Sequence, residues 1–88
     1  MNPVDAKLFA AQLDSHLPLL DLHVFPPFEA EYELEKFLYE QSQNQVSAAR
    51  IVYGIGTGKL KEKILAILNK HPMLESVFDE GASCIIFI

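Results

Sequence analysis

RIVYGIGTGKLKEKILAIL, residues 50–68, decides the fold. Ile51, Val52 and Tyr53 suit a short buried strand, because β-branched and aromatic side chains pack well on a pleated surface. Gly54, Gly56 and Gly58 then recur at every second position, which no helix interior tolerates, so the strand ends in a turn. From Lys59 the apolar period becomes helical. Leu60, Ile64, Ile67 and Leu68 share one face with Leu65 at its edge, while Lys61, Glu62 and Lys63 fall mostly on the other. The stretch reads as strand, glycine loop and amphipathic helix.

A loop of this kind has a specific chemistry. The helix it feeds begins with unpaired backbone N–H groups and the positive end of its dipole. Glycines let an anion approach the backbone, and Lys59 adds a full charge, so Gly54, Gly56, Thr57, Gly58 and Lys59 are candidate phosphate ligands. The plainer reading, a tight turn and nothing more, has comparable weight on the pattern alone. Two sharper motifs fail. A P-loop needs four residues between its first glycine and the Gly-Lys-Ser/Thr end, whereas Gly54 and Gly58 enclose three and Leu60 stands where the Mg²⁺-binding hydroxyl belongs. The dinucleotide fingerprint fails at Lys59, where its last glycine would fall.

Eighty-eight residues make one domain, and half of them are apolar, enough for a small core. No apolar run approaches the length of a membrane span, and the acidic start MNPVDAKLFAAQLD does not read as a secretory signal. Cys84 is the single cysteine, which excludes an intrachain disulfide and a thiolate metal cluster and suggests a reducing, cytoplasmic setting. No cofactor and no metal site is expected. The net charge of −5 argues against broad, charge-driven nucleic-acid binding. The charge is unevenly spread, however: residues 50–70 hold five basic side chains and one acidic, and the glycine loop lies among them. A local basic site on an acidic body suits one phosphate group or a short strand better than a long duplex footprint.

Outward from the loop, the other elements follow. Pro3 to Leu13 reads as a short helix, with Pro3 at its first position after Asn2 and Leu8, Phe9 and Leu13 able to pack. Residues 1–18 are thus expected to form a helical arm and residues 19–88 the domain proper. LLDLHV, residues 19–24, reads as the first strand, with Asp21 and His23 on one face about 6–7 Å apart. They are a candidate acid–base or phosphate-contacting pair, though a solvated strand face is the commoner explanation. Phe25-Pro26-Pro27-Phe28 is a stiff connection, and residues 29–42 read as a helix with Ala30, Leu34, Phe37, Leu38 and Gln41 inward and most of its glutamates outward. Asn69-Lys70-His71-Pro72 stops the helix of the central stretch, with His71 a partner for the dipole at its C-terminal end. Residues 75–79 and 82–88 read as a hairpin about Glu80-Gly81, and the unbroken run Cys84-Ile85-Ile86-Phe87-Ile88 marks an interior strand with Cys84 in the core.

The order is one helix, then βαβαββ. Strand–helix–strand units require parallel strands with right-handed crossovers, so the expected fold is a two-layer α/β sandwich: a mixed four-stranded sheet with two helices on it. Ligands bind beyond the C-terminal ends of parallel strands. If the first two strands are neighbours, Asp21 and His23 meet the glycine loop at one edge.

The sequence resembles the Smr, or small MutS-related, domain family. Leu20-Asp21-Leu22-His23 is similar to the family's LDLHG, and residues 50–60 are similar to its R-I-I-H-G-K-G-T-G-K-L stretch. Residues 64–72 and the closing hairpin resemble the family's last helix and strands, so the likeness covers about residues 19–88. It implies a βαβαββ-type sandwich similar to the C-terminal domain of translation initiation factor three. It also implies nucleic-acid work, since such domains include DNA-nicking and RNA-cleaving endonucleases. Two positions depart from the pattern: Val24 replaces the glycine after LDLH, and Tyr53 replaces the histidine of HGxGxG. The expectation is a nucleic-acid-binding domain with Asp21 and His23 as catalytic candidates. Arg50, Tyr53, Gly54, Gly56, Thr57, Gly58 and Lys59 are the nucleic-acid or phosphate contacts, Tyr53 by stacking on a base or bonding a phosphate. The enzymatic version is an endonuclease acting on DNA or RNA. The alternative is a non-catalytic module binding RNA, a ribosomal surface or a protein partner, and a third reading is a binder of small phosphates or mononucleotides.

Overall fold

A computed structural model describes residues 2–88. Helix α1 (Pro3–Leu13) is followed by strand β1 (Leu19–Asp21), a 3₁₀ turn (Leu22–Val24) and helix α2 (Pro27–Gln43). Strand β2 (Ala48–Val52), helix α3 (Lys59–Asn69) and the hairpin of β3 (Ser76–Asp79) and β4 (Ser83–Phe87) complete the chain. The sheet order is β1-β2-β4-β3, with β1 parallel to β2 and β4 antiparallel to both of its neighbours. The run of apolar residues at 84–88 takes the interior position its pattern requires, and Cys84, Ile85, Ile86 and Phe87 are all buried.

The core lies between one sheet face and helices α2 and α3. Ala49, Ile51 and Tyr53 point into it by strand alternation, to meet Ala30, Leu34, Phe37 and Leu38 of α2 and Ile64 and Leu68 of α3. Each fully buried Leu or Ile contributes about 1.5–3 kcal/mol. Helix α1 has its own role. It lies on the opposite sheet face, where Ala11 packs with Ile85 and Phe87 and is joined by Leu8, Leu17, Ala48 and Phe78. The expected two helices cover one face, and the N-terminal helix adds partial cover to the other.

Most element ends fall a residue or more from expectation, and two of the differences shape the site. The first strand ends at Asp21 rather than Val24, because the Asp21 carboxylate accepts the His23 backbone N–H at 3.2 Å and turns the chain into the 3₁₀ segment. Helix α2 begins at Pro27, two residues early, since proline is well suited to a first helical position.

Candidate functional site

The site is built at the C-terminal ends of β1 and β2. Parallel pairing sets Asp21 beside Val52, so the two motifs leave the sheet together. Asp21 Oδ1 holds the backbone turn and also bonds His23 Nδ1 at 2.5 Å. With an ionised carboxylate as acceptor, Nδ1 carries the proton. Nε2 of the neutral ring is then an acceptor, and it has no hydrogen-bond partner among the described residues. The His23 side chain is 58% exposed, so this nitrogen is open to a ligand.

The glycine loop passes directly against this pair. A methyl group on Gly54 would stand 3.7 Å from His23 Cβ. Gly54 has φ +74° and Gly58 φ +83°, the left-handed region that favours glycine. The Ala82 carbonyl accepts both the Tyr53 and Gly54 N–H groups, at 3.0 and 2.9 Å, and clamps the base of the loop. Gly58 caps α3, whose first internal bond runs from the Glu62 N–H to the Gly58 carbonyl at 2.9 Å. Thr57 Oγ1 accepts the Lys59 N–H at 3.4 Å, and Gly58 at the cap position offers no side chain to the helix end. The loop encloses a hollow of about 50 Å³ lined by residues from Tyr53 to Gly58 with Leu60 and Lys61. Asp21, His23, Gly54, Gly56, Thr57, Gly58 and Lys59 therefore share one edge.

Four basic residues lie between positions 50 and 63, and three already have partners. Arg50 Nη1 bonds Glu80 Oε1 at 2.6 Å, Lys61 lies 3.1 Å from Asp79, and Lys63 lies 4.0 Å from Glu31. Lys59 forms no ion pair among the described residues and is exposed at the mouth of the loop.

Arg50 does not reach this edge. Strand alternation turns it to the α1 face, where its guanidinium also bonds Ser83 Oγ at 3.3 Å and its partner Glu80 accepts from Gln12 Nε2 at 2.7 Å. It braces the sheet, the hairpin and α1. Tyr53 is likewise withdrawn: it is 3% exposed, so no base can stack on it. Its hydroxyl donates toward Asp79 Oδ1 at 2.5 Å, with the Ser83 carbonyl at 3.1 Å. Burial and then the Asp79 bond push the phenol far above its ordinary range, so it is a neutral donor and no base. The same bond, followed by the Gly81 N–H and Lys61, holds the Asp79 carboxyl down at about 2. Asp79, Glu80 and Lys61 are supports that sequence reading missed. The Arg50–Glu80, Tyr53–Asp79 and Lys61–Asp79 pairs span 18–30 positions of the chain, and no local pattern signals them. His71, expected at the end of α3, bonds Glu35 of α2 at 3.0 Å and takes no part in this edge.

Among the described residues, no group of three or more His, Cys, Asp or Glu side chains could hold a metal ion, and no helix is long and apolar enough to cross a membrane.

A parallel β1–β2 edge that joins a carboxylate–imidazole pair to a glycine loop and a helix start defines an α/β domain of Smr type. The Smr domain family matches residues 20–83, and the chain belongs to it. It is 33% identical over 85 residues to the endonuclease MutS2 of Halalkalibacterium halodurans, covering 93% of this chain and 11% of that protein. It is 34% identical over 58 residues to the ribosome rescue factor SmrB of Shewanella oneidensis, covering 66% of this chain and 33% of that protein. The crystal structure of the Smr domain of Thermus thermophilus MutS2 superposes with a TM-score of 0.75 at 25% identity, over 81% of this chain and 96% of that one. The chain thus spans a third or less of the length of these full-length relatives.

Proposed function

We propose that this domain binds a nucleic-acid backbone at the edge formed by Asp21, His23 and residues 54–59, with the Asp21–His23 pair able to act on the bound phosphodiester. The observation that carries the reading is the contact between the two motifs: the loop backbone at Gly54 runs against the ring of a histidine already oriented by a carboxylate. A phosphate on the N–H groups of Gly56, Thr57, Gly58 and Lys59 would gain the helix dipole and the unpaired Lys59 ammonium. His23 Nε2 would then be positioned to accept a proton from water or from a ribose 2′-hydroxyl, which is general-base catalysis of endonucleolytic cleavage. An endonuclease and a ribosome rescue factor among the relatives support a nucleic-acid ligand. The buried Cys84 thiol suits the cytoplasmic setting this reading assumes.

A second reading, a non-catalytic binding module for RNA, a ribosomal surface or a protein partner, is favoured by one observation. Tyr53 stands where the family motif has histidine, and its hydroxyl is committed to Asp79. The two readings separate in one assay. Purified protein is incubated with labelled single-stranded RNA, single-stranded DNA and supercoiled plasmid, with and without Mg²⁺, beside His23→Ala and Lys59→Ala variants. Cleavage that His23→Ala abolishes establishes the catalytic reading. A mobility shift that Lys59→Ala weakens, with the nucleic acid intact, establishes the module. Absence of both overturns the proposal.

A further inference from the structure

Beside the phosphate cradle runs a groove that the backbone reading leaves unused. It measures about 320 Å³, lies between the starts of α2 and α3, and is lined by Pro27, Thr57, Lys59, Leu60 and Lys63. Thr57 and Leu60 also line the hollow of the glycine loop, so groove and cradle share a wall. The groove wall is mostly apolar, yet two lysines stand on it. Lys63 is only loosely held, 4.0 Å from Glu31 with both side chains in solvent, a geometry in which ion pairs contribute little. Phe28 follows Pro27 directly and is 80% exposed, and Ile55 on the loop is 71% exposed. Neither the core nor helix capping explains a large aromatic side chain left open in the first turn of α2.

We infer that this groove, together with the exposed Phe28 ring that follows its Pro27 wall in the chain, is a subsite for one unstacked base of a single-stranded nucleic acid whose phosphate sits on the glycine loop. The inference rests on the backbone-binding reading and adds the form of the ligand. An apolar surface flanked by cations and joined to a phosphate site matches the chemistry of a nucleotide: a flat π-face, a sugar and an anionic link. Lys59 and Lys63 would meet the phosphates on either side of that base, and the Phe28 ring would offer a stacking surface. A base inside a duplex has its faces covered by its neighbours, so the groove selects unpaired strands.

The test is fluorescence anisotropy with four probes of equal length: single-stranded RNA, single-stranded DNA, a blunt DNA duplex and an abasic single strand. The proteins are wild type, Phe28→Ala, Phe28→Trp and Lys59→Ala. Wild type is expected to bind the base-bearing strands roughly ten- to a hundred-fold tighter than the abasic strand or the duplex, the range that stacking of one base supplies. Phe28→Ala loses most of that factor on base-bearing strands and changes nothing on the abasic one, and its exposed position leaves folding intact. Phe28→Trp restores binding, with indole fluorescence quenched on addition of the strand. If Phe28→Ala and base removal both leave affinity unchanged while Lys59→Ala weakens it, the base subsite is wrong and the backbone reading stands. If wild type binds none of the four probes, the backbone reading fails and this inference with it.

Discussion

Replacing Tyr53 with Phe removes one oxygen and leaves the ring in its slot. In the wild type that oxygen donates to a carboxylate, and hydrogen bonds to charged groups contribute about 1.5–3 kcal/mol. The Asp79 side chain is 39% exposed, so water can take over part of the lost contact, and screening lowers the figure toward about 1–2 kcal/mol. For a domain of this size that corresponds to a fall in Tm of roughly 5–15 °C. The pH dependence adds an independent check. The Asp79 carboxyl is held at about 2, below its ordinary 3.8, chiefly by this hydroxyl. A depressed carboxyl contributes stability that is present above 3.8 and is lost as pH falls toward 2. The gap between wild type and Tyr53→Phe is therefore widest at neutral pH and narrows on going down through pH 4 and 3. Urea unfolding followed by circular dichroism at a series of pH values measures it. Equal stability at pH 7, or a gap that stays constant from pH 7 to 3, would refute the assignment of Tyr53 as the lock on Asp79.

Other perturbations separate support from contact. Gly58→Ala forces an alanine to φ +83° with nothing for its methyl to strike, so it costs about 1–2 kcal/mol of backbone strain, read as a lower urea midpoint. Gly56→Ala meets open space without a positive φ, so its stability stays within about 0.5 kcal/mol of wild type while its oligonucleotide affinity falls, because the methyl obstructs the approach of a phosphate. Arg50→Ala unfastens Glu80 and lowers stability by about 1–3 kcal/mol with little change in the affinity of the folded protein, whereas Lys59→Ala does the reverse. Burial pushes the Cys84 thiol from its ordinary 9.0 up to about 12, so the unfolded chain ionises first. Stability is complete below pH 9 and declines as pH rises toward 12, with Tyr53 adding to the decline above pH 10; Cys84→Ala flattens the earlier part of that slope in alkaline urea titrations.

Much of this arrangement is legible in the chain because its signals are local. Three alternating glycines between a β-branched pair and an amphipathic period leave few alternatives to strand, loop and helix. The unbroken apolar run from Cys84 is equally direct, since only an interior strand buries both of its faces. The first strand is shorter than its pattern because Asp21 and His23 do alternate with apolar neighbours, while the turn that ends it depends on an aspartate side chain bonding the backbone two residues on. Arg50 and Tyr53 show what local pattern leaves out. Both lie within the motif-bearing stretch, and both are turned to tasks set by Asp79, Glu80 and Ser83, residues of the β3–β4 hairpin that docks on β2 through β4. Sequence separation hides such pairs; sheet register reveals them. The exposure of Phe28 depends in the same way on tertiary packing, which buries Ala30 in the first turn of α2 and leaves Phe28 80% exposed.

The central claim is that one edge, carrying Asp21, His23 and the glycine loop, holds a phosphodiester backbone. Titration of isotope-labelled protein with a short oligonucleotide, followed through backbone amide shifts, tests it most directly. The account predicts saturable shifts concentrated at residues 21–24 and 54–60, strongest at the Gly56, Thr57, Gly58 and Lys59 amides, and abolished in Lys59→Ala. Shifts centred on α1 and the outer sheet face, or none at any ratio of strand to protein, would contradict it.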